Sequence, residues 1–280
     1  MPSYAPFDWY ETPIYYDIIF DVDTEKEAVF LEQCHALHAS DAEPGRKLSV
    51  LEPACGSGRL MAALAKRGHR VAGVDLSEGM LDFARKRFKA EGVSGKLARA
   101  PMQDFELPAS GGGGASGGRG GYDLAHILVS SFKYLDNDED AAACLNCITN
   151  HLRPGGVLVL GLHLTEPDED QRTLERWRAQ RDGLDVICTI RSAPPDHANR
   201  TEQLRSRVVA RDLNQPNAEP KRYESHWTFR TYDEPQFRSL LRKAPGLEHV
   251  ATYTFHHDID LPTTLDGDDL GVVLVLRRGA

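Results

Sequence analysis

A chain of 280 residues, 41% hydrophobic and 27% charged, is long enough to bury one large α/β core with an elaboration. It has no run approaching the ~20 apolar residues of a membrane span, and its start, MPSYAPFDWYETP, lacks the basic and then apolar order of a secretory signal. A formal net charge of −9 disfavours nucleic acid as a partner, because phosphate neutralisation calls for a basic face.

Residues 8–43 hold ten acids against one base, Lys26. Thr24 and Glu27 have the spacing of a capping box, so a helix is expected from Thr24 to about His38, and residues 1–45 read as a helical cap or lid. From residue 48 onward short apolar runs alternate with helical patterns, the signature of a mostly parallel sheet covered on both faces. Strands are expected at 48–54, 70–76, 95–100, 122–129 and 156–163, with helices at 59–67, 77–90 and 138–152. The stretch ASGGGGASGGRGG at 109–121, with eight glycines, reads as a flexible connector. Cys144 and Cys147 share a face of the helix at 138–152, where they are expected as small core residues, and no metal site is expected. The five cysteines form no even framework, which points to the cytoplasm.

After Leu164 the pattern changes. A polar helical piece at about 168–181 is expected, followed by strands at 184–191, 203–213 and 221–231. These make residues 165–233 an inserted antiparallel sheet over the active site, with an exposed edge through which two copies can pair as a homodimer. Eleven arginines between 172 and 230, Arg205 and Arg207 among them, suggest an anionic small-molecule substrate. A helix at 234–243 and strands at 247–256 and 271–277 then complete a core formed by 46–164 and 234–280.

The chemistry concentrates in VLEPACGSGRL at 50–60, where a strand runs through a glycine loop into a helix. Gly56 and Gly58 let the backbone turn tightly and approach a ligand. A dinucleotide pyrophosphate could sit at such a helix start. Met61, however, stands where the dinucleotide fingerprint wants a third small residue, and Glu52 would repel a pyrophosphate yet hold an ammonium group. Asp75, ending VAGVDL, can accept from both ribose hydroxyls of either cofactor.

Together LEPACGSGR, VAGVDLSEGML, APMQDF at 100–105, FKYLD at 132–136 and LRPGG at 152–156 resemble, in order and spacing, the class I S-adenosylmethionine-dependent methyltransferase family, nearest to its small-molecule subgroup with amino-sugar N-methyltransferases. The resemblance implies a Rossmann-like α/β fold whose seven-stranded, mostly parallel sheet has the order 3-2-1-4-5-7-6, with the last strand antiparallel. It implies S-adenosylmethionine as cofactor and S-adenosylhomocysteine as product. Glu52, Ala54, Gly56 and Gly58 would surround the methionine part, Asp75 the ribose, and Leu76, Met80 and Met102 the adenine, with Tyr16 and Leu128 closing the site. Arg59 would pair with the cofactor carboxylate. Pro101 departs from the family by replacing an acid that reads the adenine amino group, which Gln103 or Asp104 would then substitute.

Because a sulfonium already activates the methyl group, alignment is the protein's main task. Tyr16, Tyr134, His163 and His226 are the candidates for acceptor contact or proton transfer, each with a packing role as its alternative; His163 is the foremost base. The expected function is methyl transfer to nitrogen or oxygen of a small molecule. The alternatives are a methyltransferase for RNA or protein, although no Asn/Asp-Pro-Pro-aromatic motif is present because Ala193 precedes Pro194 and Pro195, and a cofactor-binding relative without turnover.

Overall fold

The computed structural model describes residues 3–107, 121–166, 172–267 and 269–279. The glycine-rich connector therefore lies, but for Gly121, outside the described residues. The chain opens with a short strand, β1 (Ala5–Pro6), and two helices, α1 (Pro13–Phe20) and α2 (Thr24–His38). There follow β2 (Ser49–Pro53), α3 (Arg59–Lys66), β3 (Arg70–Asp75), α4 (Glu78–Glu91), β4 (Lys96–Arg99), β5 (Tyr122–Ile127), a 3-10 turn at Ser131–Tyr134, α5 (Asp138–His151) and β6 (Leu152–His163). Four antiparallel strands come next: β7 (Leu174–Arg181), β8 (Leu184–Ser192), β9 (Thr201–Asp212) and β10 (Lys221–Arg230). The chain closes with α6 (Glu234–Arg242), β11 (Leu247–Thr254) and β12 (Gly271–Arg278).

The larger sheet has the order β11-β12-β6-β5-β2-β3-β4. Its strands from β6 to β4 are parallel neighbours, and β12 runs antiparallel to both β6 and β11. This is the order 3-2-1-4-5-7-6 with an antiparallel final strand. Val272 to Leu276 of β12 are fully buried, and burying each such side chain contributes roughly 1.5–3 kcal/mol. Two apolar clusters, one on each face, meet helices α5 and α6 on one side and α2, α3 and α4 on the other. Cys144 lies in the first cluster and Cys147 packs at its margin.

The second sheet has the order β1-β10-β9-β8-β7. Its inner face packs on α1 through Trp9, Tyr15, Ile18, Ile19, Val186, Cys188, Val208 and Ala210.

Two expectations are corrected. Residues 174–181 form an edge strand rather than a helix: LERWRAQR pairs along its whole length with β8, and Trp177 and Ala179 turn inward with a period of two. The capping box at Thr24 is not formed. Asp23 is the residue before the helix and makes no side-chain cap, while Thr24 and Glu27 both receive Arg59 from α3.

Candidate functional site

The turn after β2 is bent by three left-handed residues, Ala54 (φ 57°), Gly56 (φ 51°) and Gly58 (φ 69°). Gly58 is required: a Cβ there would stand 2.9 Å from the Ala84 Cβ of α4. Asp75, at the end of β3, accepts from the Gly56 N–H and the Ser77 N–H, both at 2.8 Å, so one carboxylate ties the loop to the start of α4. Burial raises the Asp75 carboxyl above its ordinary range against these backbone hydrogen bonds.

Glu52 lies behind the loop. Burial pushes its carboxyl well above the usual range, although Arg59 pulls the other way. Its Oε2 and the Ser57 Oγ are buried without a hydrogen-bond partner among the described residues. Its Oε1 stands 3.9 Å from the His126 Nδ1. Burial, with Arg59 adding to it, pushes that fully buried imidazole down to about 3. It is therefore neutral and offers Glu52 no charge, so Arg59 is the cation that acts on that carboxyl. Orphaned polar groups around a glycine turn fit the ammonium and carboxylate of an amino-acid-bearing cofactor. Arg59 borders the same small cavity, with its Nη1 engaged by Thr24 and Glu27. Tyr16 and Leu128 line it too.

At the other end of the loop, Met80 is fully buried, Leu76 is 61% exposed and Met102 and Gln103 are half-buried. The Ala100 N–H donates to the Asp75 carbonyl and the Asp104 N–H to that of Pro101, which brings the 100–104 turn beside β3. Tyr10 lies over this region: its carbonyl accepts from Ser77 Oγ at 3.2 Å, and its hydroxyl meets that of Tyr134 at 2.6 Å.

Next to the loop a cavity of about 650 Å³ opens between the two sheets. Tyr16, Tyr134 and His163 stand on its core side, and Glu175, Trp177, Glu202, Trp227 and Phe229 face them from the inserted sheet. His163 lies within hydrogen-bonding distance of Ser130 Oγ through Nδ1, at 3.0 Å, and stacks on Phe255 at 4.7 Å. Gly161 and Gly271 make room for that stack, since a Cβ at either would come 3.0 Å from the Phe255 ring. Burial, then the Lys133 ammonium, pushes the His163 imidazole down to about 4. Burial pushes the Tyr134 phenol up to about 12. Glu175 is raised by desolvation and by the nearby Glu202, which Lys133 approaches at 3.3 Å. Val129 and Ser130 at the cavity mouth both hold left-handed backbone, φ 57° and 59°; for a β-branched residue that is costly and marks a site held in place by its surroundings.

His226 is elsewhere. It lies on the outer face of the inserted sheet and contacts Glu224 at 3.1 Å. Arg205 and Arg207 share that outer face, so neither reaches an acceptor in the inner cavity. Of the inner residues, Lys133, Glu175, Trp177, Glu202, Trp227, Phe229 and Phe255 were not anticipated. Strand alternation would have found Glu175 and Trp177 only if residues 174–181 had been read as a strand.

A seven-stranded sheet of this order, with a glycine turn after its first core strand and a carboxylate ending the next, defines a nucleoside-cofactor α/β fold. Residues 50–156 match the methyltransferase domain family. The chain is 31% identical over 164 residues to the putative methyltransferase YqeM of Bacillus subtilis (strain 168), covering 54% of this chain and 61% of that protein. It is 33% identical over 159 residues to the dTDP-3-amino-3,4,6-trideoxy-alpha-D-glucopyranose N,N-dimethyltransferase of Streptomyces venezuelae, covering 55% and 59%. It thus spans about three fifths of the length of each of these two relatives. Its fold is similar to that of an S-adenosylmethionine-dependent methyltransferase from Clostridium acetobutylicum ATCC 824, with a TM-score of 0.71 at 18% identity over 97% of this chain and 99% of that one. Residues 50–156 thus carry a methyltransferase domain, and the whole chain shares the fold of S-adenosylmethionine-dependent methyltransferases. Among the described residues no helix is long and apolar enough to cross a membrane.

Proposed function

We propose that this protein transfers the methyl group of S-adenosylmethionine to an amine nitrogen of a small molecule. The observation that carries this reading is the pair Glu175 and Glu202, set among Trp177, Trp227 and Phe229 across the cavity from the glycine loop. A volume of about 650 Å³ suits a small molecule rather than a macromolecular segment. The amino-sugar N,N-dimethyltransferase among the relatives supports the same choice.

In this reading Glu52 and Ser57 hold the cofactor's amino-acid end, Ala54, Gly56 and Gly58 let it approach the backbone, and Asp75 holds the ribose. Leu76, Met80, Met102 and Gln103 border the adenine, while Tyr16 and Leu128 close the site and Arg59 braces the loop on α2. The bound sulfonium supplies an electrophilic methyl group. The protein positions a neutral amine in line with it, and positive charge grows on the nitrogen as the bond forms. Carboxylates and aromatic faces stabilise that charge where it develops. His163, pushed down to about 4, is neutral near pH 7 and is a weak proton acceptor. Tyr134, pushed up to about 12, is a donor. Both properties suit an amine, which sheds its proton to water before binding, better than a hydroxyl, which needs a base during transfer.

The test is release of S-adenosylhomocysteine against panels of amines, amino sugars and phenols. Turnover is expected with amines, and Glu202→Gln should lower kcat/KM about ten- to a hundredfold, since hydrogen bonds to charge contribute roughly 1.5–3 kcal/mol. Turnover confined to phenols, or an unaffected Glu202→Gln, would overturn the reading.

A further inference from the structure

The opposite face of the inserted sheet bears a second basin, of about 440 Å³, whose lining includes six arginines and no acid: Arg176, Arg191, Arg205, Arg207, Arg211 and Arg222. Strand alternation separates it from the inner cavity. Arg176 falls between Glu175 and Trp177, Arg191 follows Ile190 and Arg205 follows Leu204, and each of those neighbours faces the inner cavity.

Register brings the charges together. Arg191 lies directly opposite Arg205 across β8 and β9, and in the next row Thr189 lies between Arg176 and Arg207. Like charges directly opposed on a sheet destabilise it, and little on the protein offsets them. Arg176 and Arg191 make no hydrogen bond or ion pair among the described residues, whereas Arg211 lies opposite Asp185 and Arg222 reaches Glu219 at 3.8 Å. Glu224 takes Arg207 at 2.6 Å and is 3.9 Å from Arg205. The whole chain is acidic, at −9, so the patch is a local reversal of sign. Its composition is selective too. Between 172 and 230 there are eleven arginines and one lysine, Lys221. A face needing only solubility has no reason to prefer arginine, whereas planar guanidinium forks match the paired oxygens of phosphate. Tyr4 closes one side, its ring 4.5 Å from the Arg207 guanidinium.

We infer that this basin binds a polyanion carrying at least two linked phosphate groups, at a site separate from methyl transfer. One phosphate would lie between Arg191 and Arg205 and the next beside Arg176 and Arg207, since directly opposed side chains stand about 5 Å apart and diagonal ones about 7–8 Å.

The test is calorimetric titration of the full chain, at low ionic strength, with sodium tripolyphosphate, ADP and single orthophosphate. Saturable binding of tripolyphosphate or ADP is expected, at least tenfold tighter than orthophosphate and weakening steeply with added salt. Tighter ADP than tripolyphosphate identifies a nucleotide as the source, and equal affinity an inorganic polyphosphate. The double variant Arg191→Gln, Arg205→Gln should lose at least tenfold in this affinity while binding S-adenosylmethionine as the parent does, which also shows that it is folded. No saturation by either polyphosphate, no preference over orthophosphate, or undiminished binding by the double variant overturns the inference. This outcome is independent of the proposed acceptor, because the readout involves no methyl transfer.

Discussion

Glu52 carries a protonation change that arrival of the cofactor should reverse. Burial holds its carboxyl well above the ordinary range. An ammonium placed there favours the ionised form and lowers the same pKa. Between the two values binding must release a proton, so affinity for S-adenosylmethionine should climb as pH rises and level off above the free-state value. Calorimetry in two buffers of different ionisation heat measures that proton directly; an enthalpy independent of buffer at every pH above the ordinary carboxylate range would refute the assignment. Glu52→Gln should remove the proton release and weaken binding by roughly 1–3 kcal/mol. At Asp75 the ligand and the loop are inseparable, because the carboxylate that would hold the ribose also orders Gly56 and Ser77. Asp75→Ala is therefore expected to abolish calorimetric binding of the cofactor, and retained binding would show that the loop is ordered without it.

At the scale of elements, α1 is fastened by one fully buried carboxylate. Asp17 accepts from Arg87 of α4 and from Arg181 of β7, joining the helix to both halves of the molecule. Asp17→Asn takes the buried anion from two guanidinium groups, leaving Arg87 to Glu91 and Arg181 to Asp21. The usual cost of breaking such a buried pair is about 3–5 kcal/mol; because Arg181 is 30% exposed, the low end applies. A fall in Tm of roughly 6–12 °C is expected in a thermal melt, and a change under about 2 °C would mean the cluster contributes little. The glycine turn and the positions of the core strands were legible because buried parallel strands are continuous apolar runs with glycines at forced turns, whereas their order in the sheet came from the family resemblance. β7 was not: LERWRAQR consists mostly of good helix formers, and only hydrogen bonding to β8 makes it a strand. That error hid Glu175 and Trp177 from view. Thr24 and Glu27 misled differently, since their spacing is that of a cap but Arg59, 32 residues beyond Glu27 in the chain, takes both side chains.

For the whole molecule, the N-terminal segment reaches both sheets. β1 pairs with β10, and the Trp9 indole N–H donates to Ser206 Oγ at 2.8 Å in the inserted sheet. One residue on, Tyr10 accepts from Ser77 at the start of α4 and meets the Tyr134 hydroxyl on the core side. A chain of contacts thus runs from the second sheet to the Asp75 end of the loop and closes the space between them. The seven-stranded core makes none of its strand pairs through this segment, so removal of residues 1–12 should leave the core folded while opening the site to water. The truncated protein is expected to keep its far-ultraviolet circular dichroism and cooperative melt. Its affinity for S-adenosylmethionine should fall at least about tenfold, equivalent to 1.4 kcal/mol, and methyl transfer should fall further, because the segment also supplies walls of the acceptor cavity through Trp9 and Tyr10. Equal affinity and equal turnover in the truncated chain would show that the two sheets hold the cavity closed without it.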